Sequence, residues 1–448
     1  MNHAHTRFGL AKHQVIFTVA PVFSTLAVEV PASSKQTPPR NHTMKTSGST
    51  MSKSILAHAA LALAWWALSL EGVRADGPSS SGANIKFKYI HSWTNKQNLP
   101  GPRSDLTATP VEDLIVLAGG CDAPTQHYIT TSWGGMYACP RITNNTLLYS
   151  PALDTYTPAP NMPRKRYRHA ATSVGTKVYV LGGTNLAEEQ LTHVDVFDAS
   201  TRTWSTLASQ PLAEATTDPA AFSIGTKIYF TGGYVLPNYI TVNTTWMMDT
   251  ANVGAGWTKV APAPSQRGDH AAVAIHGKAY VFGGFTHLDN YAQALSTLES
   301  YDPTKDTWTT RASMSNVRGD KAGTVLHDRF QCIGGEQKTK EGVSVPLSDV
   351  EAYDPAMDRW IPEGHIPSKR FRFVAASHED TIYIFGGQGY LVGTANTNTS
   401  YYPLVTTVEA LLETKVTIDV SGAARRGDTG KRGALLVLSM LSAILLRQ

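Results

Sequence analysis

The sequence predicts an all-β fold, a six-bladed β-propeller of four-stranded antiparallel blades whose ring closes by strand exchange between the termini. Three observations predict it. Six diglycines recur in register with the repeat, at Gly119-Gly120, Gly182-Gly183, Gly232-Gly233, Gly283-Gly284, Gly334-Gly335 and Gly386-Gly387, at intervals of 63, 50, 51, 51 and 52 residues. Each ends a short apolar run (LIVLAGG, VYVLGG, IYFTGG, YVFGG, FQCIGG, IYIFGG) of the β-branched and aromatic kind that reads as a buried strand. An aromatic residue precedes the first glycine by 26 positions, or by 28 in one unit: Trp93, Tyr156, Trp204, Trp257, Trp308 and Trp360. A period near 50 residues marks repeat architecture.

Each unit supplies four strands in a fixed order. One strand precedes the apolar run, the run itself is the second, and the diglycine at its exit permits positive φ or close backbone approach. Seven residues before four of the six aromatics stands another: Tyr149, Phe197, Tyr301 and Tyr353. Segments such as LESYDPTKDTW and VEAYDPAMDRW therefore read as a third and a fourth strand joined by an Asp-Pro turn. Four-stranded units repeated radially protect their edges by closing into a ring. In the same phase, Trp93 places IKFKYIHSW as the outer strand of the last blade, whose other strands come from residues 371–412. The rival closure is KVTIDV, which puts Ile418 at the position of the tryptophan.

The diglycine after an apolar strand, the spaced Tyr and Trp and the unit length together resemble the kelch family, over roughly residues 85–420. The resemblance implies a propeller. It leaves function open, because kelch propellers serve as protein-binding platforms, as actin binders and, less often, as enzymes.

The flanks carry targeting signals. Residues 1–50 form a leader of uncertain role, with Glu29 as the sole acidic residue, and translation from Met51 or Met44 would remove most or all of it. From Met51, a basic Lys53, an apolar stretch from Ile55 to Leu70 and small residues Val73 and Ala75 form a secretory signal over residues 51–75. At the other end, residues 421–448 run from small residues including Ser421 and Gly422 through the spacer RRGDTGKRG to ALLVLSMLSAILL. That order matches a GPI-attachment signal, with Ser421 or Gly422 as the lipid-anchor site. The apolar run is short for a bilayer span, which needs about 20 residues. A type I membrane anchor and a free tail are the alternatives. Sequons at Asn144, Asn243 and Asn398, all in expected surface loops, agree with secretion. So does the pair Cys121 and Cys139, whose disulfide would close the insertion behind the long first interval. Cys332 lies inside an apolar run and reads as a small buried hydrophobe. The expected location is the secretory pathway and cell surface.

The formal net charge of +4 draws on the basic leader and spacer, and nothing in the remainder points to nucleic acid. One polar position repeats tightly. Sixteen residues before each of these six diglycines stand Arg103, Arg166, Thr216, Arg267, Arg318 and Arg370. By resemblance to kelch propellers, this position lies around one mouth of the central channel. Five guanidiniums there would favour carboxylate, sulfate or phosphate groups, with Tyr167, Phe371 and the adjacent Arg168 and Arg372 adding stacking contacts. The competing role is structural, with Asp269 and Asp320 as acidic partners of Arg267 and Arg318.

No metal-ligand spacing links the histidines (His169 and His270 fall at equivalent positions), and no cofactor motif or catalytic triad is visible. A copper enzyme of the galactose-oxidase kind is disfavoured by where the cysteines lie. The sequence therefore reads as a non-enzymatic binding module for a surface protein or anionic glycan, held to the membrane by a lipid. The alternative is a carbohydrate-active enzyme resembling the six-bladed kelch mutarotases of sialic acid.

Overall fold

Strands of five residues with alternating burial make the innermost layer of each repeat: Thr107–Val111, Ala170–Val174, Ala220–Ile224, Ala271–Ile275, Ala322–Leu326 and Val374–His378. In the computed structural model, which describes residues 85–419 except 132–133, 208–211 and 213, each pairs antiparallel with the apolar run that follows it. These second strands, such as Lys278–Phe282 and Arg329–Ile333, are buried along almost their whole length because both faces pack against neighbouring blades. The third and fourth strands complete six four-stranded sheets among the described residues.

The spaced aromatics meet as the phase requires. Tyr149 lies opposite Tyr156, Phe197 opposite Trp204, Tyr301 opposite Trp308 and Tyr353 opposite Trp360, with ring centroids 5.0–5.2 Å apart. The tyrosine hydroxyls of three units donate to the turn aspartates Asp154, Asp306 and Asp358. The indoles reach outward to the preceding unit: Trp308 Nε1 donates to the Ala261 carbonyl and Trp360 Nε1 to the Ala312 carbonyl, both at 2.8 Å. One ring therefore fills a blade and its N–H ties that blade to its neighbour.

Two closed cycles of backbone hydrogen bonds join the six units. In the first, the second glycine of each pair donates to the residue sixteen positions before the next pair: Gly120 to Arg166, Gly183 to Thr216, Gly233 to Arg267, Gly284 to Arg318, Gly335 to Arg370 and, across the seam, Gly387 to Arg103. The diglycine is needed because the chains pass so closely. A Cβ on Gly283 would lie 2.5 Å from the Arg318 oxygen and one on Gly284 2.4 Å from the Gly268 oxygen, and both have positive φ. In the second cycle the amide of each residue donates to its predecessor in the order Asp105, Arg168, Asp218, Asp269, Asp320, Arg372, returning from Asp105 to Arg372 at 3.0 Å.

The last sheet takes its outer strand from the start of the repeat region. Ile85–Lys96 pairs along its full length with Val408–Asp419, setting Trp93 opposite Leu411. The rival segment is the continuation of that third strand, with Ile418 opposite Lys86. The leader, the signal at 51–75 and the attachment signal at 421–448, with Ser421 and Gly422, lie outside the described residues. No helix among the described residues is long and apolar enough to cross a membrane.

Candidate functional site

The recurring arginines sit inside the blades. Arg166, Arg267, Arg318 and Arg370 are buried and ion-paired with Asp195, Glu299, Glu351 and Glu409, at 2.5, 3.0, 2.8 and 2.8 Å. Their Nη1 atoms donate to the carbonyls of Gly182, Gly283, Gly334 and Gly386. The acid always stands two residues before the third-strand residue that faces the outer aromatic. This corrects the expected arginine-lined mouth. A guanidinium has donors for both a glycine carbonyl and a carboxylate, and here they are used across its own blade. The third unit lacks both halves of the pair: Thr216 donates its hydroxyl to the Gly232 carbonyl, and Trp246 holds the acid's position. Arg103 is also buried, with Leu147 at that position, and burial lowers its pKa against the pull of Asp122.

Asp269 and Asp320, considered above as partners for Arg267 and Arg318, belong instead to the ring that lines the channel. All six ring residues take positive φ, between 47 and 54°. The ring alternates unevenly in charge: Asp105, Arg168, Asp218, Asp269, Asp320, Arg372. Arg372 Nε lies 3.0 Å from Asp320 and 3.7 Å from Asp105, while Arg168 Nε stands 4.0 Å from Asp218. Three consecutive carboxylates, each mostly enclosed by protein, cannot all ionise readily. Burial, with Asp320 and Asp218 beside it, drives Asp269 well above the carboxylate range. Burial likewise raises Asp218 to about 7, against the pull of Arg168. In Asp320 the penalty of burial is outweighed by Arg372 and by a hydrogen bond from Asp269, so this acid is lowered. Next to the ring, burial pulls Lys321 down to about 7 and, with Arg166, His169 to about 3.

The raised Asp218 gives a signed expectation. Between about pH 4 and 7 the folded state holds a proton that the unfolded state has released, so this group's contribution falls as pH rises through that window. Asp218→Asn should flatten the decline relative to the native protein in urea unfolding at about pH 5 and 7.5. His169 acts in the opposite sense as pH rises from about 3 towards its ordinary value, but it is common to both proteins and cancels in the difference. Equal slopes would show that the proton shared among Asp218, Asp269 and Asp320 does not depend on Asp218.

On one side of this ring opens a cavity of about 720 Å³. Arg168, Asp218, Asp269 and Arg372 form part of its floor, and the same four residues border a smaller cavity of about 130 Å³ on the channel side. Tyrosines dominate the wall: Tyr128, Tyr137, Tyr234, Tyr239, Tyr291 and Tyr402. Phe285 and Phe371 join them, and Lys338 and Glu336, paired at 2.9 Å, add charge of both signs. Several hydroxyls are already engaged: Tyr234 donates to Asp269 at 2.7 Å, and Tyr239 lies 3.2 Å from Glu188. The loops between second and third strands build this wall. The insertion after the first diglycine forms the hairpin Thr125–Thr131 and Gly134–Ala138, which captures Tyr401–Pro403 from the last unit as a third strand. Its base is closed by the Cys121–Cys139 disulfide.

Of the expected stacking residues, Phe371 lines the cavity, whereas Tyr167 is buried behind it with its hydroxyl donated to Glu188. Arg168 and Arg372 lie over the Tyr167 and Phe371 rings at 5.0 and 5.9 Å. Two sequons have structural duties. Asn144 donates to the Met162 carbonyl at 2.8 Å and Asn243 to the Ala263 carbonyl at 2.7 Å, while Asn398 is exposed on the sixth loop. Cys332 is buried among Phe282 and Phe330. The wall tyrosines were not singled out from the sequence. The available signal was positional, since Tyr234 and Phe285 directly follow their diglycines.

Comparison with known proteins agrees with this architecture. A family described as Attractin/LZTR1 beta-propeller matches residues 132–393. Kelch-like protein 23 of Mus musculus is 28% identical over 212 residues, covering 47% of this chain and 36% of the relative. Kelch-like protein 36 of Rattus norvegicus is 30% identical over 177 residues, or 39% of this chain and 28% of the relative. Kelch-like protein terF of Aspergillus terreus is 26% identical over 296 residues, covering 64% and 61%. The chain thus spans about a third of the length of the first two of these relatives.

Proposed function

The chain belongs to the Attractin/LZTR1 β-propeller family, and from that premise we propose that it is a binding module whose cavity-bearing face receives a short segment of a partner protein. The observation that carries this reading is the tyrosine-walled cavity with a floor of mixed charge. Tyrosine supplies large contact area at low entropic cost and keeps a polar tip, so such walls suit peptide and protein surfaces. Four of the five arginines that motivated an anionic glycan are buried in ion pairs and the fifth, Arg103, is buried as well, which removes the main support for that ligand.

Peptides selected from a displayed library against the native protein are the direct test. Tyr239→Ala and Tyr128→Ala, both partly exposed on the cavity wall, should each weaken the selected peptides by about 2 kcal/mol, roughly thirtyfold, as loss of an aromatic anchor does. Met357→Ala, exposed on a turn beside the outer strand of the fifth unit, serves as the control. Peptides that bind the tyrosine variants as tightly as the native protein would place recognition elsewhere.

In this reading the module is displayed outside the cell on a lipid anchor. The secretory and attachment signals and the Cys121–Cys139 bridge support it. Phosphatidylinositol-specific phospholipase C should release the protein from intact cells. Retention with an intact C-terminus by mass spectrometry would favour a transmembrane tail.

A further inference from the structure

A second cluster of chemistry-bearing side chains lies where the last sheet meets its neighbour. His91 comes from the strand Ile85–Lys96, Glu413 from Val408–Asp419, Glu363 from Arg359–His365, and Arg329 opens the strand Arg329–Ile333. Both carboxylates are almost completely buried, with side-chain exposures of 3% for Glu363 and 0% for Glu413. Arg329 holds one oxygen of each, Glu363 Oε1 at 2.6 Å and Glu413 Oε2 at 2.8 Å. The other two oxygens, Glu363 Oε2 and Glu413 Oε1, are buried without a hydrogen-bond partner among the described residues. A buried carboxylate oxygen left in this state is costly.

We propose that this cluster is a site for a divalent transition-metal ion of the zinc class, bound by His91, Glu363 and Glu413, with His327 beside it. One ligand atom from each of the three lies within 4.8 Å of the others. His91 Nε2 is 2.7 Å from Glu413 Oε2 and 3.7 Å from Glu363 Oε2. These separations bracket the spacing of about 3.4 Å that follows for tetrahedral ligands about 2.1 Å from zinc. His327 Nε2 approaches the orphan Glu413 Oε1 at 3.5 Å, and its 35% exposed side chain marks the solvent side from which an ion can arrive. With His91 and His327 neutral, as metal ligation requires, two carboxylates against one guanidinium leave a net negative charge for a cation to neutralise. Arg329 acts as the outer group that orients both carboxylates. The ligands are 50 to 322 residues apart in sequence, so no local spacing could reveal them. An ion here would pin the N-terminal strand to both the fifth and the sixth sheets.

The test is Zn²⁺ titration of the full chain after chelator treatment, followed by calorimetry and thermal unfolding. The native protein should bind one equivalent that His91→Ala and Glu363→Gln both lose, and its melting temperature should rise by several degrees at about a hundredfold excess over Kd. Glu363→Gln keeps an acceptor for Arg329 and so guards against a folding defect. His327→Ala should weaken this equivalent by about tenfold or more. Histidines elsewhere in the chain can add equivalents, and these persist in every variant. Identical stoichiometry and identical thermal gain in native protein and both ligand variants would overturn the proposal.

Discussion

Arg318→Ala is expected to destabilise the propeller by about 3–5 kcal/mol, the usual cost of removing one partner of a buried ion pair. The guanidinium holds Glu351 at 2.8 Å and donates to the carbonyls of Gly334 and Asp349, so the truncation strips a buried carboxylate and the Gly334 carbonyl of a donor, while the Asp349 carbonyl keeps the Gly334 N–H at 2.9 Å. Glu351 would keep its bonds from Ser315, which offsets part of the loss. The expectation becomes specific in the double variant. Replacing a whole buried pair with apolar residues is often neutral or stabilising, and the third unit already does without one through Thr216 and Trp246. Arg318→Met with Glu351→Leu should therefore recover most of the stability lost by Arg318→Ala in urea denaturation. If the double variant is as unstable as the single, the arginine acts through its carbonyl contacts rather than through the acid.

The same residues show what the sequence discloses and what it hides. The blade repeat was legible because diglycine, tyrosine and tryptophan each serve one local geometric need: a close chain crossing, a turn contact and a cross-strand pair. The arginine position was equally legible as a position. Its role was not, because the partner acid lies about 30 to 40 residues downstream, on a strand reached only through a loop of variable length. A second clue was present in the pattern. Where Thr216 replaces the arginine, Trp246 replaces the acid, so both halves of the pair are lost together. Proximity along the chain pointed instead to Asp269 and Asp320, but positive φ turns those side chains away from the blade and towards the axis.

The site was harder to see than the scaffold. Ring closure brings Asp105 beside Arg372, and Tyr402 beside Tyr137, from opposite ends of the repeat region. Loops of unequal length carry Tyr128, Tyr137, Tyr239 and Tyr291, so no common repeat phase marks them. Phe371 is named by the sequence only as the neighbour of Arg370; it lines the cavity from the start of the inner strand, where it bridges Gln388. The metal cluster shows the same limit in sharper form: it exists only because the first strand lies in the last sheet.

Removing Ile85–Lys96 is expected to abolish cooperative folding, because this segment forms the whole outer strand of the last blade. Its loss would expose the edge of Val408–Asp419 and uncover Leu411, which packs with Ile333, Ile382 and Ile384 next to Trp93. A folded domain is stable by only about 5–15 kcal/mol, and one strand's ladder together with an aromatic side chain takes a large share of that. Loss of folding alone could reflect a damaged chain, so the decisive variant moves the strand. Asp419 lies directly opposite Ile85, so the two strands can be joined by a two-residue Asn-Gly turn as an ordinary hairpin. A chain that starts at Gln97, runs through Asp419 and Asn-Gly, and then continues into Ile85–Lys96 should unfold cooperatively near the native midpoint. It would hold the same pairing of Trp93 with Leu411 without any exchange between the ends of the ring. If the deletion folds as well as the native protein, the outer strand contributes nothing to closure. If the transplanted strand does not restore the transition, the register of this seam is not what joins the ring.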